Sequence, residues 1–269
     1  MPKPSRRQEE RVISVVLPTY NRAPTLPRAI DSVFGQTHRD WELIIVDDGS
    51  TDGTREVVAS ISDPRVRAYS HERNRGVTAA MNTGLDHVRC EWFTILGSDD
   101  EMTPDALASM LECAELTGAT AVTCNCVDSV SGRKTGTGIA RDGWLGVAER
   151  AKCRGEFWGI TKTSLLGDLR FDERLPGFEE TVWLKIDRRA RRYYLHQALR
   201  VYHTEGMDRL TTPGHSRNLK ERVASMCALG QDREYLGALR EADPARHRRI
   251  MLRVHLARLL RLLTIAGRP

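Results

Sequence analysis

The chain has 269 residues, of which 40% are hydrophobic and 29% charged; this suits one α/β domain with a sizeable core, with or without appendages. It contains no run of about 20 apolar residues that could span a membrane, and no apolar leader follows the basic residues 1–11, so we expect a cytoplasmic protein. The net charge of +5 is concentrated in 188–192 and 240–268 and is not interleaved with aromatic residues, which argues against nucleic acid and favours small anions or anionic lipid as partners.

From Val12 onward, short apolar runs rich in β-branched residues alternate with patterns of helical period. The runs predicted as strands are Val12–Leu17, Leu43–Val46, Val66–Tyr69 and Trp92–Leu96. The segments predicted as helices are about 25–34, a segment capped by Ser50 or Thr51, 77–85 and 104–117. Continuous apolar runs are typical of strands buried on both faces, and alternation with helices indicates βαβ units. The sequence therefore predicts an α/β fold with a mostly parallel open sheet flanked by helices.

Beyond Thr120 the pattern weakens, and 129–146 is rich in glycine and charge, which favours loops or short antiparallel strands. The cysteines are scattered and form no C-x-x-C pair, which argues against a zinc site. They are Cys90, Cys113, Cys124, Cys126, Cys153 and Cys227. We expect reduced and mostly buried thiols.

The segment 245–265 predicts a helix with a broad apolar face beside many arginines. The apolar positions are Ile250, Val254, Leu256, Ala257, Leu259, Leu260 and Leu263, and the arginines are Arg249, Arg253, Arg258 and Arg261. Such a helix could lie in a membrane interface that carries anionic lipid. It could equally pack on the rest of the chain or on a partner subunit, with its arginines in solvent. The sequence leaves both interpretations open.

Three polar segments follow predicted strands at the point where each strand ends, namely 19–21, 47–50 and 97–100. Ligands of open α/β sheets bind outside the carboxyl ends of the strands. Clustered carboxylates repel one another unless a cation or a donor-rich ligand lies among them, and Mg²⁺ or Mn²⁺ held by one or two carboxylates and phosphate oxygens meets that need. The alternative is that these Asp-Asp and Asp-Gly pairs are ordinary turn residues. No Gly-x-Gly-x-x-Gly or Gly-Lys-Ser/Thr loop is present, which argues against dinucleotide and P-loop chemistry.

Several motifs in series resemble the family-2 glycosyltransferases of the GT-A fold. They are LPTYNR at 17–22, SVFGQT at 32–37, WELIIVDDGSTDGT at 41–54, NRG at 74–76, AMNTG at 80–84 and ILGSDD at 95–100. The resemblance is strong over about 12–111 and looser over 171–211. It implies an inverting enzyme that moves a sugar from a nucleoside-diphosphate sugar, UDP-linked by expectation, to an acceptor hydroxyl of a glycan, glycolipid or metabolite.

The resemblance also implies roles for single residues. The donor would be bound by Pro18, Thr19, Tyr20, Asn21, Asp47, Asp48, Asn74, Gly76, Asn82, Ser98 and Asp99. Within this set, Tyr20 would stack on the base, Asp48 would read the base edge and Asp47 would support it. Asp99 would lie near the ribose, and Asp100 would hold the Mn²⁺ or Mg²⁺ that bridges the diphosphate, with Asp99 and His203 as further candidate ligands. His203 has a structural role as its alternative.

Two positions depart from the family pattern. Gly97 stands where the family often has Asp, and Met81 stands where it often has Arg. The first departure removes a carboxylate from the metal and ribose region, and the second removes a cation beside the phosphates. We expect Asp99 and Asp100 to suffice, with reduced activity or altered donor preference as the possible cost.

The catalytic base is expected in PGFEETVWLK at 176–185, which resembles the acidic segment that precedes a helix in the family. Alignment on Trp183–Lys185 places the base at Glu179, which we favour, and alignment on the acidic pair places it at Glu180. Either carboxylate could instead merely complement the helix N-terminus. The segment Phe157–Gly159 suits an acceptor sugar platform, with a core role for Trp158 as the alternative.

The resemblance divides the chain into four parts: a basic tail 1–11, a nucleotide-sugar-binding half 12–105, an acceptor-binding half 106–212 and a helical extension 213–269 with the basic amphipathic helix. Peripheral attachment of that helix to the inner face of the membrane is the corresponding expectation for location. Two rival functions stay open. One is a catalytically weak sugar-nucleotide-binding module, suggested by Gly97 and Met81. The other is a nucleotidyltransferase, although Thr19–Arg22 lacks the glycine-rich phosphate loop and lysine of that class.

Overall fold

The computed structural model describes residues 12–146, 149–150, 153–175, 177–204 and 219–266. The expected basic tail 1–11 and the expected boundary near 212 lie outside these residues. The strands are β1 Ile13–Thr19, β2 Trp41–Asp47, β3 Val66–Ser70, β4 Trp92–Ile95, β5 Glu101–Met102, β6 Ala121–Asp128, β7 Gly143–Leu145, β8 Phe157–Lys162 and β9 Arg192–Tyr202. The helices are α1 Leu26–Phe34, α2 Thr54–Ala59, α3 Val77–Asp86, α4 Ala106–Thr117, α5 Glu180–Asp187, α6 Leu219–Leu229, α7 Arg233–Ala242 and α8 Pro244–Ala266.

The described strands form a single open sheet in the order β3-β2-β1-β4-β8-β6-β9-β5, with β7 paired to β9. β3, β2, β1 and β4 are parallel to one another. From β8 onward the sheet is mixed, because β8 is antiparallel to both β4 and β6 whereas β6 and β9 are parallel. The predicted α/β architecture is thus confirmed, and the sheet continues without a break across the expected boundary at 105.

Side chains of β1 alternate between the two faces of the sheet, as strand geometry requires. Val15 packs into one apolar cluster with Ile30 of α1 and Met110 of α4, whereas Val16 packs into a second cluster with Leu85 of α3. Every residue of β1 is buried, so the strand is covered on both faces by helices. This agrees with the continuous apolar run seen in the sequence.

One glycine decides how closely α3 lies against the sheet. A Cβ atom added at Gly84 would come within 2.3 Å of Val16 Cγ1, a distance that no real side-chain contact has. The helix therefore approaches β1 as closely as its backbone allows. This brings the start of α3 close to the carboxyl edge of β2.

The predicted cap of α2 is wrong. The N-cap residue is Gly53, and it makes no side-chain capping bond. Ser50 instead binds within the preceding turn, where its hydroxyl donates to Asp47. The orphan N–H of Thr54 donates to Asp52 Oδ1 at 2.9 Å, so Asp52 supplies the capping oxygen from just outside the helix.

The three C-terminal helices form a third apolar cluster with the segment around α5. Leu229 of α6, Tyr235 of α7 and Val254 of α8 pack in it against Leu175 and Leu184. The extension is therefore joined to the sheet domain through the region that contains α5. Within the described residues, no helix combines the length and apolarity needed to cross a bilayer.

The single broad apolar face expected for α8 is divided in two by the structure. Ile250, Val254 and Ala257 are buried against α6 and α7. Leu252, Leu256 and Leu259 are 64%, 52% and 58% exposed and lie on the opposite side, with Leu260 at 42% near its edge. Packing thus accounts for one stripe of the helix and leaves a second stripe of leucines in solvent.

Candidate functional site

The loops after β1 and β2 are fastened to each other by short polar side chains. Asn21 adopts a left-handed conformation with φ 50°, which turns its amide oxygen toward Thr51, whose N–H donates to it at 2.8 Å. In return, the Asn21 N–H donates to Ser50 Oγ at 2.9 Å. Asp47 is 2% exposed and accepts from the Ser50 N–H at 3.0 Å and from Arg55 Nε at 3.1 Å. Asp47 therefore supports the turn.

Asp48 holds the loop that leads into α3. The carboxylate is 2% exposed and accepts from the backbone N–H groups of Arg75 and Gly76 at 2.9 and 2.7 Å. His71 Nδ1 lies 2.7 Å from the same carboxylate, and its Nε2 lies 2.9 Å from Thr83 Oγ1. These contacts occupy about three of the four lone-pair positions of a carboxylate. One position remains for a further donor.

The rest of the proposed nucleotide loop shows a graded exposure. Pro18 is buried within β1, Thr19 is 3% exposed and Tyr20 is 39% exposed. The Thr19 hydroxyl is buried and has no hydrogen-bond partner in the described part of the chain. Asn74 is exposed. A buried hydroxyl without a partner in the described residues is suited to receive a polar ligand.

Asp100 forms a buried ion pair with Arg200 of β9. The carboxylate is 2% exposed, its Oδ2 accepts from Arg200 Nη2 at 2.6 Å, and its Oδ1 accepts from the His203 N–H at 3.1 Å. Burial raises the pKa of the Asp100 carboxyl, and the Asp99 charge acts in the same direction while Arg200 opposes both. His203 Nε2 lies 2.6 Å from Glu101 Oε1, so the candidate metal residues meet at one edge of the sheet.

The donor atoms at this edge fit a hard divalent ion held mainly by its phosphate ligand. Asp99 is only partly buried, and its carboxylate makes no hydrogen bond to the residues that the structure describes, although its backbone oxygen accepts from Arg28 at 2.7 Å. A Cβ atom at Gly97 would lie 2.7 Å from Asp100 Oδ2 and 3.0 Å from Asp99 Oδ1. Both carboxylates therefore face the space above Gly97. No group of three His, Cys, Asp or Glu side chains with metal-ligand geometry occurs in the described ranges.

The structure distinguishes the two candidate bases by what each carboxylate contacts. Glu179 is the N-cap residue of α5, and its Oε1 accepts from the Gly177 N–H at 2.9 Å. Glu180 accepts from Tyr235 at 2.7 Å and from Arg246 at 2.8 and 2.7 Å, so both of its oxygens are engaged by the C-terminal helices. Glu179 lines a cavity, whereas Glu180 is not among the described residues that line it.

A cavity of about 310 Å³ joins the edge at Gly97 to the start of α5. Gly97 and Arg200 line it together with Glu179 and Trp183. Its remaining lining is contributed by Met81, Ile95, Thr123, Arg150, Glu156, Phe157, Trp158, Gly159, Thr161, Asp187 and Arg192. The cavity thus brings the departures at positions 81 and 97 together with a candidate base.

Other residues expected at the site have structural contacts. The Asn82 side chain exchanges two hydrogen bonds with the backbone of Phe171, at 2.9 and 2.8 Å, so its amide links α3 to the segment before α5. Trp158 is 6% exposed and donates from Nε1 to Ile95 O at 2.9 Å, as the core alternative anticipated, although it also borders the cavity. Ser98 is 7% exposed.

The sequence interpretation missed the arginines that β9 contributes. Arg192 is 6% exposed and binds Asp187 at 2.5 Å and Thr123 at 2.8 Å. The Arg200 side chain is 12% exposed and reaches Asp100 at 2.6 Å. The available signal was a pair of arginines, Arg192 and Arg200, within the strand-like run RYYLHQALRVY at 192–202, whose other residues are mostly aromatic or aliphatic. Because this run followed a surface arginine cluster, the sequence alone gave it no separate meaning.

The chain is similar to known glycosyltransferases in sequence. A family model described as glycosyl transferase family 2 matches residues 14–161, more than half of the chain. The chain is 33% identical to the GalNAc(5)-diNAcBac-PP-undecaprenol beta-1,3-glucosyltransferase of Campylobacter jejuni, over 77% of this chain and 69% of the relative.

Two solved structures share the fold. TarS of S. aureus in complex with UDP-GlcNAc matches with a TM-score of 0.72 at 19% identity, over 88% of this chain and 70% of that one. The mannosyltransferase PcManGT of Pyrobaculum calidifontis, in complex with GDP-Man and Mn²⁺, matches with a TM-score of 0.57 at 21% identity, over 96% and 76%. The architecture agrees with these GT-A structures, and the family model together with the Campylobacter relative shows that the chain belongs to glycosyl transferase family 2.

Proposed function

We propose that the chain is an inverting glycosyltransferase that uses a UDP-linked sugar and Glu179 as its base. The observation that carries this proposal is the cavity of about 310 Å³, because it connects the Gly97 edge of the sheet, where Asp99 and Asp100 lie, to Glu179 on α5. A donor bound at the edge and an acceptor hydroxyl in the cavity would meet between them. The printed names of the relatives, which include a glucosyltransferase and a complex with UDP-GlcNAc, support this class of reaction.

The nucleotide would lie over the loops after β1 and β2. The exposed Tyr20 ring offers a face for base stacking. The remaining acceptor position of Asp48 would accept from a donor group such as the N–H of uracil, since its other positions are already filled by two backbone N–H groups and by His71. Because three protein donors fix this carboxylate in advance, the base would bind a rigid acceptor at little cost in side-chain entropy.

The divalent ion, Mn²⁺ or Mg²⁺, would be held by Asp100 and Asp99 together with the diphosphate, with His203 beside them. When bound, it stabilises negative charge on the leaving diphosphate. Arg200 lies 2.6 Å from Asp100 and supplies fixed positive charge at the same place. His203 Nε2 is held by Glu101, so this nitrogen would become a ligand only after a change of partner.

In the proposed reaction, Glu179 takes the proton of the acceptor hydroxyl while the hydroxyl oxygen attacks the anomeric carbon. The bond between that carbon and the diphosphate oxygen breaks, and the electron pair leaves with the nucleoside diphosphate. A hydroxyl is a poor nucleophile near neutral pH, so a carboxylate within hydrogen-bond reach is required. Attack from the side opposite the leaving group gives inversion.

We further propose that the leucine–arginine face of α8, formed by Leu252, Leu256 and Leu259 with the exposed Arg249 and Arg253 beside them, rests on an anionic lipid surface at the inner face of the membrane. The leucines are more than half exposed, and the flanking arginines are exposed as well. Leucines bordered by cations are complementary to the acyl boundary and the anionic headgroups. A lipid-linked acceptor, as in the name of the Campylobacter relative, would be presented at such a surface.

A thermal-shift and turnover experiment tests the donor site. Because a ligand of the folded state raises the unfolding midpoint, UDP with Mn²⁺ should raise it more than GDP or CDP does. Release of UDP from UDP-sugars, stimulated by an undecaprenyl-diphosphate-linked sugar, should follow. A shift without any turnover would favour the sugar-nucleotide-binding module. The specific argument for that function is that Arg200 already pairs with Asp100, the expected metal ligand. If no nucleotide raises the unfolding midpoint, both proposed functions are wrong.

A further inference from the structure

Glu180, Tyr235 and Arg246 form a three-residue cluster, here called the Glu180 clamp, between α5 and the C-terminal helices. The Tyr235 hydroxyl donates to Glu180 Oε1 at 2.7 Å, and Arg246 Nη2 lies 2.8 and 2.7 Å from the two Glu180 oxygens. Tyr235 is 0% exposed. Burial and then the Glu180 charge raise the pKa of the Tyr235 phenol, so the hydroxyl remains a donor at any physiological pH.

The interface along α5 also contains two ion pairs and an apolar contact. Lys185 Nζ lies 2.6 Å from Asp232, and Arg189 lies 3.3 Å from Glu234 at the far end of the helix. Leu184 packs into the apolar cluster of the C-terminal helices. The extension therefore contacts α5 over its whole length, and the clamp is the contact at the first turn.

The Glu180 clamp lies directly beside the candidate base in the chain. Glu179 is the N-cap residue of α5 and shares a peptide unit with Glu180. Holding the Glu180 side chain fixes the first turn of the helix, and with it the backbone from which Glu179 extends into the cavity. Arg246 also compensates the charge of Glu180, so that two adjacent carboxylates do not repel each other at the helix start.

We propose that Arg246 and Tyr235 are positioning residues for the base Glu179 and act through Glu180; this inference rests on the proposed function of Glu179. None of the described residues from 219 to 266 lines the cavity, so the two residues would affect turnover without touching substrate. A displacement of about 1 Å at a reacting group can cost on the order of 100-fold in rate. The C-terminal extension would thus be part of the catalytic machinery as well as the proposed lipid-facing surface.

The test compares Arg246→Met, Arg246→Lys and Tyr235→Phe with a matched control, Arg189→Met, which removes an ion pair from the same interface at the other end of α5. We expect Arg246→Met to lower kcat by about 10- to 100-fold with an unchanged donor KM. Arg246→Lys should recover part of the rate, and Tyr235→Phe should lose less. Arg189→Met should keep wild-type kcat. If Arg189→Met and Arg246→Met lower kcat equally, or if Arg246→Met raises only KM, the proposal is wrong.

Two further measurements keep the inference separate from the proposed function. In the double variant Glu180→Gln/Arg246→Met, the loss should not exceed that of the larger single variant, since both act on one contact; additive losses would contradict action through Glu180. Hydrogen–deuterium exchange of 180–184 should accelerate in Arg246→Met and not in Arg189→Met. If the wild-type chain shows no glycosyl transfer, the proposed function fails, whereas the exchange experiment still decides whether the clamp orders the first turn of α5.

Discussion

The two halves of the candidate site are held in different ways. At the edge formed by β1 and β2, the fastening groups are close in sequence or belong to adjacent loops, as in the bonds between Asn21 and Ser50 and between Asp48 and Gly76. Around α5, the partners come from the distant C-terminal helices, as in the contact between Glu180 and Arg246. The proposed nucleotide edge is therefore a compact motif, whereas the proposed acceptor side is in contact with the C-terminal extension. The following predictions test that difference.

The largest effect is expected at the acceptor side. Glu179→Gln should lower kcat by about 10²- to 10⁴-fold, since it removes a general base without changing the shape of the side chain. The thermal shift with UDP should stay at its wild-type value, because the nucleotide edge is fastened separately. Glu180→Gln serves as the comparison and should lose less. Wild-type turnover in Glu179→Gln together with loss in Glu180→Gln would reverse the assignment.

Next in size is the effect on lipid binding. Replacing Leu252, Leu256 and Leu259 together by serine should lower the binding constant for anionic vesicles, measured by co-sedimentation, by at least about 100-fold. Each leucine that is buried in the lipid contributes roughly 1.5–3 kcal/mol to binding. The unfolding midpoint should hardly change, since these side chains are exposed in the folded chain. The control is a triple substitution to methionine, which keeps the apolar surface. Unchanged sedimentation of the serine variant would remove the membrane proposal.

A smaller effect is expected at the nucleotide edge. Asp48→Ala should lower the free energy of unfolding by about 2–4 kcal/mol, because it leaves the backbone N–H groups of Arg75 and Gly76 without their acceptor. It should also weaken UDP binding, measured by calorimetry. Asp52→Ala removes a nearby carboxylate that caps α2 and should cost stability without a comparable loss of affinity. Equal UDP affinities in the two variants would show that Asp48 stabilises the loop and does not bind the nucleotide.

The smallest effect is expected from Met81→Arg, which restores the cation common in the family. Met81 lines the cavity near Gly97 and Arg200, so a guanidinium there should lower the Kd of UDP by about three- to tenfold through a charge-assisted hydrogen bond to phosphate. Met81→Gln is the uncharged control. Tighter binding in both variants, or in neither, would mean that position 81 does not face the diphosphate.

The difference between these two regions also explains how much of the structure could be predicted from the sequence. The strands and loops up to Asp100 were predicted closely, because continuous apolar runs and the polar residues at their ends are local signals. The placement of Arg200 opposite Asp100 was not predictable. β9 pairs with β6 through two irregularities of register, between Cys124 and Asn125 and between Asn125 and Cys126, and such bulges change which side chains point to a given edge.

The alternatives that the sequence left open also depend on contacts between residues far apart in the chain. Glu179 and Glu180 are adjacent and chemically alike, so only their partners separate them, and the partners of Glu180 are 55 and 66 residues away. The apolar positions of α8 were identified correctly, but their division into a packed stripe and an exposed stripe depends on where α6 and α7 lie. Periodicity gives the apolar positions of a helix and carries no information on which neighbour covers them.

By itself, the sequence determined the α/β architecture, the carboxylates at the strand ends and the family, since each is encoded in a short window of residue types. The tertiary structure decided which carboxylate is engaged and which faces the cavity, that Asp100 pairs with Arg200, and that the C-terminal helices contact α5. These features depend on contacts between residues far apart in the chain. Their geometry is set by packing of the whole domain, and a local pattern does not contain it.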